Sequence, residues 1–129
     1  MARYVIDIDG TICTATDGDY NKAKPLQERI EFINNLYTQG NKVFYQTARG
    51  MGRYENDSAQ AHKKFYDFTV KQLNSWGVKY HGVFLGKAAG DYYIDDKSLS
   101  ITDFFGEESW KRLGLWALDS QWCKLLRKA

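Results

Sequence analysis

The sequence predicts an α/β domain built on a mostly parallel sheet. Three observations carry that expectation: short runs of β-branched and aromatic residues too brief for helices, longer stretches between them with an apolar residue every three or four positions, and the resulting order strand, helix, strand, helix, strand, strand. At 129 residues the length is that of one domain with a core of its own, with a helical extension expected over about 103–129. A composition of 43% hydrophobic and 16% aromatic residues supports unaided folding, and a formal charge of +2 is too mild to indicate nucleic acid as the partner. The N-terminus lacks a basic segment followed by an apolar stretch, and no run approaches the roughly 18 apolar residues of a membrane span, so a soluble cytoplasmic protein is expected. Cys13 and Cys123 are too few for a disulfide scaffold and have no zinc-ligand spacing, so both are expected as free thiols.

The first strand is Tyr4-Val5-Ile6 with Ile8, and it delivers Asp7 and Asp9 to its carboxyl end. Side chains alternate along a strand, so residues two apart point at one spot where the strand gives out. Two like charges there repel each other, and a metal ion or a reacting phosphate would offset that repulsion. Residues 12–24 are polar and Thr-rich, with Asp17, Asp19 and Tyr20, and read as a loop or short hairpin able to act as a flap. Pro25 suits a first helical turn, Leu26, Ile30, Ile33 and Leu36 follow at helical spacing, and Gly40 supplies a stop. Residues 42–47 form the second strand, ending in Thr47, and residues 48–53 a mobile-looking loop with Arg49 and Arg53. Asp57 or Ser58 caps a second helix with Ala61, Phe65, Phe68, Leu73 and Trp76 on one side and Gly77 as its stop. Residues 78–85 give a third strand, Gly86-Lys87 a turn, and Tyr92-Tyr93-Ile94 a fourth strand ending in Asp95-Asp96. Short helices are expected over 107–113 and 118–128. The Trp110, Trp116 and Trp122 side chains either close an edge of the core or offer a surface for a second subunit, and so for a homo-oligomer.

Four polar features thus fall at or just after strand carboxyl ends: Asp7 with Asp9, Thr47, Lys87, and Asp95 with Asp96. That edge is where open α/β sheets bind ligands. Singly, each has an ordinary reading as a cap, a turn residue or a solvated charge. As an ordered set they resemble the motifs of the haloacid dehalogenase superfamily of phosphotransferases. Asp7-Ile8-Asp9-Gly10-Thr11 matches the first motif, Val43-Phe44-Tyr45-Gln46-Thr47 the second, Lys87 the third and Tyr93-Ile94-Asp95-Asp96 the fourth, over about residues 3–97. The first motif is specific and the fourth fairly so, while the second and third gain weight from position and order.

The resemblance implies a Rossmann-like three-layer sandwich and a phosphatase. Asp7 would be the nucleophile that forms an aspartyl-phosphate, and Asp9 the general acid and base. A carboxylate at this second position disfavours an ATPase. Thr47 and the N–H groups after Asp7, at Gly10 and Thr11, would hold phosphoryl oxygens, and Lys87 would screen their charge. Asp7, the Asp9 carbonyl, Asp95 and Asp96 would hold one Mg²⁺, with Asp96 favoured as the direct ligand of the pair. The spacing between motifs leaves no room for a cap domain, so an open site is implied, suited to a bulky substrate or to an oligomer whose neighbour supplies the lid. A mutase, which must shield its phosphoenzyme from water, is disfavoured.

A narrower likeness is to small capless proteins associated with capsular polysaccharide biosynthesis, through Thr47-Ala48-Arg49, Gly86-Lys87 and Tyr93-Ile94-Asp95-Asp96. It points to a small-molecule phosphate ester, such as a sugar phosphate. Arg49 is expected to contact the rest of the substrate through its fork geometry, with Arg53 and Tyr20 as further candidates. Two other phosphate motifs fail: Gly82 to Ala88 is one residue short of a P-loop and has Ala where Ser or Thr belongs, and Gly50-Met51-Gly52 lacks the third glycine of a dinucleotide fingerprint. A receiver domain has a similar acidic pocket but a different order of residues. The alternatives are a polynucleotide 3′-phosphatase, with a basic groove of Arg49, Arg53, Lys63 and Lys64, and an inactive protein that binds a phosphorylated ligand.

Overall fold

The computed structural model describes residues 1–106, which fall into two compact units, Met1–Asp91 and a second that begins at Tyr92. The first unit runs β1 (Arg3–Asp7), α1 (Gln27–Thr38), β2 (Lys42–Thr47), α2 (Ser58–Ser75) and β3 (Gly82–Leu85). The strands lie in the order β1-β2-β3, and both pairings are parallel. Tyr4 stands opposite Val43, and Tyr45 opposite Val83. Two crossovers that step the same way across a sheet, each right-handed as such connections are, carry α1 and α2 over one face. Ile6, Val43, Tyr45 and Val83 are accordingly buried, as are Ile30 and Ile33 of α1, which packs on β2, and Ala61, Phe65 and Leu73 of α2, which packs on β3. On the other face, Val5 and Phe84 are 62% and 56% exposed. The first unit holds only these two crossover helices, so it builds two layers of the expected three-layer sandwich.

The helix boundaries follow local chemistry. The Asp57 carboxylate accepts from the Ala59 and Gln60 N–H groups and so caps α2, while Gly77, at φ 73°, lets the chain leave it. Pro25 falls two residues before α1 rather than in its first turn, because Cys13 and Pro25 bridge to close the base of the 12–24 loop. At position 69, a threonine sits fully buried on the apolar face of α2, midway between Phe65 and Leu73. No helix among the described residues is long and apolar enough to cross a membrane.

Two sequence expectations change. The loop after β2 looked mobile, yet Arg49, Gly50 and Met51 are buried, and the turn closes through Met51 N–H to the Ala48 carbonyl and Tyr54 N–H to that of Gly50. The expected fourth strand is absent: residues 92–96 form no ladder, and Tyr92 and Ile94 stand out, Ile94 at 96% exposure. A strand exists only where a neighbour takes up its N–H and C=O groups. The described part of the second unit offers turns and one five-residue helix, α3 (Ile101–Phe105), capped by the Ser100 hydroxyl. The expected helices over 107–113 and 118–128, with their three tryptophans and Cys123, lie outside the described residues.

Gly50 shows how tightly the loop is seated against α2. Its φ is +78°, and a Cβ there would stand 2.7 and 2.8 Å from Phe65 ring atoms. Gly50→Ala is expected to cost about 1–3 kcal/mol through strain and overpacking together. Urea unfolding would read this as a lower midpoint at unchanged slope, and an unchanged midpoint would contradict it.

Candidate active site

β1 ends at Asp7, and the chain turns at once. Gly10, at φ 82°, allows a tight return in which the Gly10 N–H donates to the Cys13 carbonyl, and the Thr11 and Ile12 N–H groups both donate to that of Ile8. The Gly10 and Thr11 N–H groups, expected to face phosphoryl oxygens, are therefore engaged within the turn. What Thr11 does offer is its hydroxyl, which donates to Asp7 Oδ2 at 3.2 Å.

Each carboxylate has its own cation. Lys87 Nζ lies 3.4 Å from Asp7 Oδ1, carried there by the Gly86-Lys87 turn, whose Lys87 N–H donates to the Thr47 carbonyl. Asp9 is held far more firmly. Arg49 Nε donates to its Oδ2 at 2.9 Å and Nη2 to its Oδ1 at 3.0 Å, a bidentate fork. The mutual repulsion read from sequence is thus met in part by two internal cations. The Asp7 side chain remains 33% exposed, the more open of the two. Burial raises the Asp7 carboxyl above the usual carboxylate range, against the opposing pull of Lys87.

The expectation that Arg49 reaches a substrate is corrected by its environment. It is 1% exposed, and besides the fork its Nη1 donates to the Thr69 hydroxyl at 3.2 Å. The Tyr20 ring lies against the guanidinium carbon at 4.8 Å. With all three nitrogens engaged and a ring on one face, the guanidinium is internal. Tyr20, also a candidate for substrate contact, is likewise tied in: its hydroxyl accepts the Gly50 N–H, its carbonyl accepts Gln72 Nε2, and its ring meets Phe65 edge-on. The 12–24 loop is pinned at its base as well, by Thr14 N–H to the Lys24 carbonyl and Leu26 N–H to that of Ile12.

Thr47 ends β2 as expected, but it is buried, and its hydroxyl accepts the Arg49 N–H at 3.1 Å. Among the described residues its own hydroxyl proton has no acceptor. Cys13 is fully buried as a free thiol, with Sγ 3.6 Å from both Asp9 Oδ1 and the Ile8 carbonyl. Burial and the Asp9 charge push this thiol up to about 12, so it stays protonated and inert at neutral pH. Asp95 and Asp96 belong to the second unit. There the Lys97 N–H donates to Asp95 Oδ1 and holds that carboxyl below its usual range.

Beside this network, a cavity of about 570 Å³ opens between the 12–24 loop and α2, with Tyr20, Arg53, Lys64 and Phe65 in its wall together with Asp17 and Asp19. Arg53 lies over the Phe65 ring at 5.1 Å. Among the described residues of the first unit, no three His, Cys, Asp or Glu side chains converge on a cation site. The donors that unit offers a hard cation are the Asp7 carboxylate and the Asp9 carbonyl, fitting chemistry for an ion that keeps several waters.

Thr69 and Gln72 are not singled out by the sequence, and Cys13, expected as a free thiol, is not singled out as a neighbour of Asp9. The signal for Thr69 was present: a polar residue four places from both Phe65 and Leu73 on an otherwise apolar helix face requires a buried partner.

No family model and no curated protein matches the chain. Among solved structures, a target protein from Vibrio cholerae is 21% identical over 99% of this chain and 98% of its own, with a TM-score of 0.72, which shows a shared fold. A D,D-heptose 1.7-bisphosphate phosphatase from B. bronchiseptica, complexed with magnesium and phosphate, is 18% identical over 88% of this chain and 64% of its own, at a TM-score of 0.48.

The raised Asp7 carboxyl has a consequence for stability. The folded chain holds this proton more tightly than the unfolded chain, so the group's contribution to stability falls as pH rises from the unfolded through the folded pKa. Asp7→Asn, which cannot ionise, is expected to raise the urea midpoint over wild type at pH 7 in EDTA, and to raise it less at pH 4. An equal effect at both pH values would contradict the burial effect.

Proposed function

We propose that the protein is a capless, Mg²⁺-dependent phosphomonoester hydrolase of the haloacid dehalogenase type, acting on a small phosphate ester such as a sugar phosphate. The single observation that supports this most is the unequal treatment of two carboxylates on one short turn: Asp7 is partly open beside Lys87, while Asp9 is gripped by a buried arginine fork.

In this reading an Asp7 oxygen attacks phosphorus and forms the O–P bond as the ester P–O bond breaks. The departing oxygen takes the proton of the Asp9 carboxyl and leaves as an alcohol. Asp9, now a carboxylate, takes a proton from water, whose oxygen attacks the aspartyl-phosphate, releases inorganic phosphate and restores Asp7. Lys87 screens negative charge between Asp7 and the phosphoryl group, and the Thr47 hydroxyl has a proton to donate to a phosphoryl oxygen. The Asp7 carboxylate and the Asp9 carbonyl would hold the Mg²⁺ from the first unit. When bound, it would neutralise charge on the phosphoryl oxygens. The cavity beside Tyr20, in the size range of small-ligand sites, suits the remainder of the ester, with Arg53 as the contact that replaces Arg49.

The polynucleotide 3′-phosphatase reading needs a basic groove. Arg49 is buried, and Arg53 and Lys64 share the cavity wall with Asp17 and Asp19, so the local charge is balanced. A small ester is the better fit. Trp110, Trp116 and Trp122, outside the described residues, have the same two roles open to them as before, closing an edge of the core or meeting a second copy of the chain.

Steady-state hydrolysis across a panel of sugar phosphates, 4-nitrophenyl phosphate and a 3′-phosphorylated oligonucleotide tests this. Turnover is expected on the small esters with Mg²⁺, lost in EDTA and restored by Mg²⁺. Asp7→Asn is expected to abolish it, and Asp9→Asn to lower it by about a hundred- to ten-thousand-fold. A wild type that binds a phosphorylated ligand but turns over none would instead establish the binding-protein reading.

A further inference from the structure

We infer that Arg49 is a positioning residue for catalysis: it sets the Asp9 carboxylate in one orientation, with Oδ2 as the oxygen that carries the proton, and it acts through Asp9 without touching the substrate. This rests on the phosphatase reading above and assigns within it a role that neither the fold nor the cavity requires.

The guanidinium is fixed before it fixes anything else. Nη1 is bonded to the Thr69 hydroxyl on α2, a helix whose apolar face is packed on the sheet, and Thr69 is itself fully buried. The Tyr20 ring restrains one face of the guanidinium plane, and the Tyr20 hydroxyl is anchored on the Gly50 N–H. The Arg49 backbone is held by its own N–H on the Thr47 hydroxyl. A fork braced on three sides constrains both oxygens of Asp9 at once, so neither rotation about the carboxyl bond nor a change of rotamer keeps both bonds.

The two oxygens are then made unequal. Oδ1 receives Arg49 Nη2 at 3.0 Å and faces the Cys13 thiol at 3.6 Å, whereas among the described residues Oδ2 receives only Arg49 Nε, at 2.9 Å. Each carboxylate oxygen has two lone pairs. On Oδ1 the second lone pair faces the Cys13 sulfur, whose one proton is shared with the Ile8 carbonyl at the same 3.6 Å, and on Oδ2 the second lone pair has no donor among the described residues. That lone pair is where a proton is held for the departing oxygen and where one is taken from water. Lysine cannot substitute, because an ammonium presents a point charge and cannot make two parallel bonds in a fixed plane.

General-acid help matters most when the leaving group is a poor one, and this separates a positioning role from a structural or substrate-binding role. The kcat and KM of wild type, Arg49→Lys, Thr69→Val, Asp9→Asn and the double variant R49K/D9N are measured on an alkyl phosphate and on 4-nitrophenyl phosphate. Each variant's fold is checked by circular dichroism. Arg49→Lys is expected to lower kcat by about a hundred-fold on the alkyl ester and by no more than about ten-fold on the nitrophenyl ester, with KM within about two-fold. Thr69→Val, which loosens the fork without removing charge, is expected to show the same skew at about three- to ten-fold. In the Asp9→Asn background, Arg49→Lys is expected to cost almost nothing more.

Equal losses on the two esters, a raised KM with kcat kept, or full additivity in the double variant would each overturn the positioning role while leaving the phosphatase reading intact. Should Arg49→Lys not fold, Thr69→Val decides: the skewed loss supports the role, and wild-type kinetics on the alkyl ester overturn it. A wild type inert on both esters overturns the phosphatase reading, and this inference with it.

Discussion

The fork between Arg49 and Asp9 is the interaction on which the rest of the first unit's architecture converges. An arginine with no exposed surface is a costly thing to bury, and removing one partner of such a pair leaves the other uncompensated at about 3–5 kcal/mol. The elements around it are arranged so that this does not happen. β1 and its turn bring Asp9, β2 brings Thr47 and Arg49, α2 brings Thr69, and the 12–24 loop brings Tyr20. Residues 40 positions apart in sequence are joined by two bonds near 3 Å, and those bonds tie the first βα unit to the second.

The loops at this edge are correspondingly unlike ordinary connections. A segment with two arginines and two glycines looks mobile by composition, yet Arg49, Gly50 and Met51 are buried because the guanidinium has to reach inward. Likewise the 12–24 loop has the polar composition of a flap but is anchored at both base and tip. Its tip and base are held by these bonds, and it forms one wall of the cavity beside Tyr20.

Much of this was legible in the sequence, for identifiable reasons. Helical spacing and stop glycines located α1 and α2 closely, because their patterns are local. Asp7, Asp9, Thr47 and Lys87 were placed at strand ends because strand carboxyl ends are marked by where apolar runs stop. The errors all concern partners. Arg49 was read as pointing outward since a sequence shows a charge and not the carboxylate that claims it. Thr69 was overlooked because one hydroxyl among Phe65, Phe68 and Leu73 is minor until its partner is known. Residues 92–94 have strand composition, but composition does not supply a neighbouring ladder, and Ile94 stands in solvent. For Arg49 and Thr69 the cost and benefit are set by partners 20 or 40 residues away along the chain.

Under the proposed reaction, the contrast between the two carboxylates has a physical logic of its own. A nucleophile must exchange its contacts during turnover, since one of its oxygens becomes bonded to phosphorus and is later released. A 3.4 Å approach by a lysine and a hydroxyl bond at 3.2 Å suit such a group, because neither grips both oxygens as a fork does. A proton carrier must do the reverse and present the same lone pair twice, first toward a leaving oxygen and then toward water. Planar, bidentate, buried contact with arginine suits that role, because any rotation sacrifices two bonds at once. Two residues apart at one strand end stand two carboxylates held unequally, and the difference lies in the cations that reach them: one on a long stem from a glycine turn, the other a guanidinium under a tyrosine ring.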